Sequence, residues 1–269
     1  MPEITTSDGV RLNYLESGDP SGRPVLLVAG FKAAATSWKP QFGALEKAGY
    51  RIVALDRRGH GASGIGPDGG HTMDRHGADI GDAIRELELA DATVIGQSMG
   101  GNSVWALLSR GGSAGIRDVV IIDQTPKMLN SEDWPYGFYD YDASNATTLF
   151  ATGVPDPGRH SLASKGPVRV ARLLRGMDLK AAKTPFTTAE LALLNDHASR
   201  DWRPAVAASP VPALFVAGTE SDFWPSEHAA AAAALSPLAS SVVIEKAGHA
   251  TNIEQPKAVN EALLGWLAR

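Results

Sequence analysis

The stretch Ala92-Thr93-Val94-Ile95-Gly96-Gln97-Ser98-Met99-Gly100-Gly101 decides the fold. Its first four residues are short, apolar and β-branched, the composition of a buried strand. Asn102 to Leu108 read as a helix. Between the two stands G-x-S-x-G, whose physics is steric. A serine on so tight a strand-to-helix turn has a strained backbone, and neighbours with side chains would collide with it. Gly96 and Gly100 remove that clash. The turn lifts the Ser98 hydroxyl above the sheet and aims the Met99 N–H at the same space.

Outward from this turn the chain alternates between strand and helix patterns. Val25–Ala29, Arg51–Leu55, Val119–Ile122, Ala213–Ala217 and Val242–Ile244 are short apolar runs that read as strands. Val10 to Leu15 alternates and reads as a hairpin-like edge strand. Ile80, Ile84 and Leu87 recur at helical spacing, and the alanine run 229–234 reads as a helix. An amphipathic helix opens at Pro256 and carries Val259, Leu263, Trp266 and Leu267. This order predicts an α/β chain with a mostly parallel sheet and helices on both faces. Residues 124–205 break the pattern with seven prolines and an aromatic cluster, then turn helical behind a Thr187–Glu190 capping box. They read as an inserted, mainly helical cap over a core of residues 1–123 and 206–269.

Composition narrows the chemistry. Of 269 residues, 43% are hydrophobic and 20% charged, which excludes wholesale disorder. The net charge of −5 argues against a phosphate-backbone binder, so no nucleic-acid partner is expected. No cysteine is present, which excludes thiolate nucleophiles, thiolate zinc sites and iron–sulfur clusters. That usage suits a reducing compartment, and Met1 to Asp8 lack the pattern of a secretory signal, so a cytoplasmic location is expected. No apolar run of about 18 residues occurs, so no membrane partner is expected. H-E-x-x-H and phosphate-loop motifs are absent from the sequence, and no metal or cofactor is expected. The residues leave oligomeric state open.

A serine hydroxyl needs an adjacent base. His249 follows the last strand and precedes the last helix, on the same sheet edge as Ser98. The other six histidines read as surface or capping residues. Asp222, after the strand Ala213–Ala217, is the preferred acid to orient His249, because it gives the chain order Ser, Asp, His. Asp123, at the end of Val119–Ile122, is the alternative. An oxyanion needs two N–H donors, for which Met99 and Phe31 are the natural positions. Trp134, Tyr136 and Phe138 would line an apolar pocket for a small-molecule substrate, or pack the cap onto the core. Arg169, Arg172 and Arg175 read as a solvated helix face, and Lys32 could meet an anionic substrate.

Four segments together resemble the α/β-hydrolase superfamily over nearly the whole chain. They are Gly96–Gly101, Asp56-Arg57-Arg58-Gly59-His60-Gly61-Ala62-Ser63, Gly218 to Asp222, and Gly248-His249. The resemblance implies an eight-stranded sheet with a cap after the sixth strand. Asp56–Ser63 and the Ser98 turn look like the esterase, perhydrolase and cofactor-free haloperoxidase branch. Two features depart from the pattern: Ala29-Gly30 stands where the family usually has His-Gly, and Asp123 rivals the expected acid. Cofactor-free 3-hydroxy-4-quinolone dioxygenases share both features and use a His-Asp dyad as base. They often have histidine after the serine, where this chain has Met99. Ser98 at the nucleophile position disfavours haloalkane dehalogenases and epoxide hydrolases, which carry aspartate there. The leading expectation is a serine hydrolase of a small, apolar or aromatic ester. The alternatives are a base-catalysed, cofactor-free dioxygenase and a non-catalytic ligand-binding protein on the same fold.

Overall fold

Apolar runs of five to seven residues are too short for stable helices and long enough for strands. In the computed structural model, which describes residues 1–66 and 71–269, such runs form one eight-stranded sheet. Its strands are β1 (Glu3–Thr5), β2 (Arg11–Gly18), β3 (Pro24–Val28), β4 (Arg51–Leu55), β5 (Ala92–Gln97), β6 (Ile116–Ile122), β7 (Ala213–Gly218) and β8 (Ala239–Ile244). Their order is β1-β2-β4-β3-β5-β6-β7-β8. The first two pairings, β1 with β2 and β2 with β4, are antiparallel, and the rest are parallel. Val10–Leu15 is therefore not an edge strand. The three-residue β1, too short to carry a pattern, covers that side of β2.

Helices cover both faces. They are α1 (Lys39–Lys47), α2 (Met73–Glu86), α3 (Met99–Leu108), α4 (Gly166–Gly176), α5 (Leu179–Lys183), α6 (Thr188–Ser199), α7 (Arg203–Ala207), α8 (His228–Ala233), α9 (Thr251–Glu254) and α10 (Pro256–Leu267). Alternation along each strand feeds two separate cores. Val94 of β5 packs with Ile80 of α2 and Val104 of α3, while Ile95 packs with Leu45 of α1 and Leu263 of α10. Among the described residues no helix is long and apolar enough to cross a membrane.

The segment between β6 and β7 is less helical than its sequence suggests. From Gln124 to Ser161 it runs through turns and bends, with isolated bridges at Lys127–Asp201 and Ser131–Trp134. Pro126, Pro135, Pro155 and Pro157 deny this half helical hydrogen bonds. Asn130 organises it instead, donating to the carbonyls of Phe138 and Tyr141 and accepting from Gly137 N–H. Regular helix starts only at α4, and α6 opens with the capping box formed by Thr187 and Glu190.

Four histidines expected at the surface are buried: His60, His76, His197 and His228. Loss of hydration pushes the pKa of His60 and His197 down to about 3 and that of His228 to about 4. His76 is held well below its usual value by burial and by the nearby Arg57 charge. A neutral buried imidazole competes poorly for protons with the unfolded chain, whose histidines titrate near pH 6.5. Their contribution is complete above that pH and is lost as pH falls toward about 4. At pH 5 each such histidine costs about 2 kcal/mol relative to pH 7. Urea titrations should show stability dropping steeply between pH 6.5 and 4. His197→Gln should lose less of its own stability over that interval than the wild type does.

Candidate active site

In a parallel sheet the carboxyl ends of neighbouring strands open onto one crevice, and register decides which residues meet there. Val28 of β3 pairs with Gly96 of β5, and Gln97 of β5 with Ile122 of β6. Ser98 and Asp123, one residue beyond each end, are thus neighbours by register. The Ser98 N–H donates to Ile122 O (3.0 Å) and the Asp123 N–H to Val216 O (2.6 Å), which extends the ladder past both strands.

The bend at Ser98 is strained. Its φ of 54° and ψ of −132° lie where side-chain-bearing residues rarely sit, a cost of about 1–3 kcal/mol. A Cβ at Gly96 would stand 2.5 Å from Gly101 N, and one at Gly100 would strike the carbonyls of Val28 and Ala29. Glycine at both positions is what lets β3, β5 and α3 converge. Ser98 Oγ lies 2.9 Å from His249 Nε2. His249 rides the loop between β8 and α9. The Gln97 side-chain amide anchors that loop by donating to His249 O (3.0 Å).

The acid on the other face of the imidazole is Asp123, not the preferred Asp222. Asp123 Oδ2 lies 2.8 Å from His249 Nδ1, fully buried. Its carboxylate also accepts from Ser221 Oγ (2.6 Å) and Gly218 N–H (3.0 Å). A carboxylate at Nδ1 takes the proton-bearing nitrogen and leaves the Nε2 lone pair facing Ser98. Asp222 lies four residues past the end of β7. Its Oδ2 accepts from Lys165 Nζ (3.0 Å) and from the His249 backbone N–H (3.3 Å), so it touches the loop rather than the ring. It does not cap a helix either: α8 starts later, with Glu227 at its N-cap position.

The other expected residues fall at varying distances from this centre. Met99 opens α3 directly after Ser98. Phe31 follows Gly30, where a Cβ would stand 3.0 Å from Ser98 Cβ, so the loop after β3 presses on the serine. Among the described residues, no protein acceptor takes the N–H of Phe31 or Met99. Trp134 is buried, with its indole N–H on Thr125 Oγ1 and Arg203 over its ring. Tyr136 meets Trp134 edge-on, so both rings pack the β6–β7 segment onto the core. Phe138 stacks on Phe223, and Phe223 in turn lies 4.4 Å from the His249 ring, centroid to centroid. Lys32 is already engaged: its ammonium donates to Thr184 O and sits over the Phe186 ring.

Sequence reasoning missed the rings that touch the imidazole, Phe223 and Trp224. Both follow β7 on the same sheet edge as Ser98 and His249, a position the strand-end rule could have flagged. It also misread Arg169. That guanidinium is buried and grips Glu254 through Nε (2.9 Å) and Nη2 (2.5 Å) and Glu220 through Nη1 (2.5 Å). Glu254 accepts from the Gly248 N–H as well, so α4 is locked to the loop that carries His249. Removing one member of a buried ion pair typically costs about 3–5 kcal/mol.

With this geometry in view, the comparisons are specific. A model of the alpha/beta hydrolase fold matches residues 23–256, and the chain belongs to that family. It is 37% identical over 141 residues to a non-heme chloroperoxidase of Kitasatospora aureofaciens, covering 52% of this chain and 50% of that protein. It is 32% identical over 138 residues to a bifunctional esterase/perhydrolase of Acinetobacter calcoaceticus, covering 51% and 50%. The chain spans about half the length of the curated relatives it matches. A bromoperoxidase structure from Bacillus anthracis superposes with a TM-score of 0.81 at 26% identity, with 100% of both chains covered.

The buried charges yield a stability prediction. Arg169→Met leaves the buried Glu254 with only the longer ion pair to Lys165 Nζ (3.6 Å) and should cost about 3 kcal/mol, read as a lowered urea midpoint at unchanged slope.

Proposed function

We propose that this chain is a serine hydrolase acting on small acyl compounds, esters foremost. The observation that carries the reading is the unbroken line Ser98 Oγ, His249 Nε2, His249 Nδ1, Asp123 Oδ2, with gaps of 2.9 and 2.8 Å. Ser98 attacks the acyl carbon while its proton passes to His249 Nε2. Asp123, short of taking the proton itself, stabilises the imidazolium that forms. The N–H groups of Phe31 and Met99 receive the oxyanion. His249 then protonates the leaving alcohol, and a water activated by the same nitrogen frees the acid. Phe223 and Trp224 beside His249 favour an apolar or aromatic acyl or alcohol group. The similarity to chloroperoxidases and to an esterase/perhydrolase supports a variant of the last step, in which hydrogen peroxide replaces water and yields a peracid.

A fluorophosphonate probe should label the wild type at Ser98 and leave Ser98→Ala unlabelled. The hydrolase reading fails if the folded wild type takes no label. Asp123→Asn should lower kcat for a short aryl ester by about 10⁴-fold. Asp222→Asn should leave kcat near the wild-type value. Equal losses in both would remove Asp123 from its assigned role.

A second reading is favoured by one observation, the placement of the acid at the end of β6. The cofactor-free dioxygenases that this chain resembles hold their base dyad there. In that reaction His249 would deprotonate an aromatic hydroxyl, and the carbanion would react with oxygen. Oxygen uptake with a 3-hydroxy-4-quinolone that survives Ser98→Ala would establish this reading over the first.

A further inference from the structure

The side chain at the centre of Asp56-Arg57-Arg58-Gly59 has no role in the reaction as drawn above. Arg57 is completely buried, directly beneath the loop after β3. Its donors all go to neutral acceptors. Nε donates to Ala29 O (2.8 Å) and Nη2 to Gly30 O (2.9 Å). Nη2 also meets His60 Nε2 (3.1 Å), and Nη1 meets His76 Nδ1 (3.0 Å). His60 Nδ1 donates to Arg58 O (2.9 Å), which leaves Nε2 bare to accept from Arg57. The nearby Asp79 is taken up by a two-pronged pair with Arg58. Burial lowers the Arg57 pKa to about 9, which still leaves the guanidinium charged at neutral pH. A buried charge without a paired carboxylate is costly, and such groups are retained at sites that use them.

Peptide geometry links this charge to the site. The Gly30 carbonyl and the Phe31 N–H belong to one peptide group, and in a trans peptide they point in opposite directions. A guanidinium that fixes the carbonyl from below turns the N–H upward, toward Ser98. Drawing electron density onto the carbonyl oxygen also makes that N–H a stronger donor. A neutral histidine pair on the other prongs fixes the plane of the fork without cancelling its field.

We infer that Arg57 is a positioning residue for the oxyanion site: it orients and polarises the 30–31 peptide, with His60 and His76 holding its fork. The inference rests on the hydrolase reading. Its effect belongs to the transition state, because the charge on the acyl oxygen develops only there.

The experiment compares wild type, Arg57→Lys, Arg57→Met and His60→Leu on one aryl ester, together with inhibition by a trifluoromethyl ketone that mimics the oxyanion. Lysine keeps the charge and loses the planar fork. His60→Leu leaves the guanidinium in place and frees one prong, so it tests the same link if an Arg57 variant fails to fold. Losing one oxyanion donor outright costs about 10²–10³-fold. Arg57→Lys should therefore lower kcat by about tenfold or more with KM little changed, and His60→Leu by a smaller factor in the same direction. Ketone affinity should fall in step with kcat/KM. A folded Arg57 or His60 variant that keeps wild-type kcat and ketone affinity overturns the anchoring, as does a loss confined to KM. A wild type that neither hydrolyses the ester nor takes the phosphonate label would instead strike the hydrolase reading, whatever the variants do.

Discussion

The register between β5 and β6 is the constraint on which the site depends. Parallel pairing of Gln97 with Ile122 puts residues 98 and 123 side by side at the same height above the sheet. The Ser98 N–H on Ile122 O continues that ladder into the bend itself. A slip of one residue would turn Val94 and Ile95 into each other's cores and move Ser98 out of step with Asp123. The hydrophobic packing on both faces of the sheet therefore sets the geometry of the polar groups at its edge.

Polar contacts then refine what packing sets. Asp123 is held by Gly218 N–H and Ser221 Oγ from the loop after β7, and it holds the imidazole in turn. The loop bearing His249 is tied down on two sides, by Gln97 on its carbonyl and by Glu254 on the preceding N–H. Glu254 is in turn neutralised by Arg169 from α4, so the segment between β6 and β7 is coupled to the sheet edge that carries His249 by charge as well as by aromatic packing. Groups so surrounded lose little by reorganising when charge develops, which is where preorganised sites gain their rate.

Much of this was legible in the residues, and for stated reasons. Gly96, Ser98 and Gly100 form a local steric pattern, and a steric pattern needs no tertiary information. His249 was readable because it sits between a strand and a helix, and all such junctions in a parallel sheet lie at one edge. The acid was not readable. Asp123 and Asp222 both follow strands, and the difference between them is three further residues of loop that carry Asp222 past the ring to Lys165. The buried histidines were missed because burial of a polar ring depends on partners distant in sequence, as His76 depends on Arg57. Arg169 was missed for the same reason: helical spacing gives a shared face and says nothing of what covers it.

The sequence by itself determined the alternation of strands and helices, the strained bend at Ser98 and the place of His249 between a strand and a helix, since each follows from neighbours along the chain. Only the tertiary structure decided which carboxylate meets the imidazole, which rings flank it and what lies beneath the loop after β3. Those relations are set by register and by side chains more than 100 residues apart, such as Asp123 and His249.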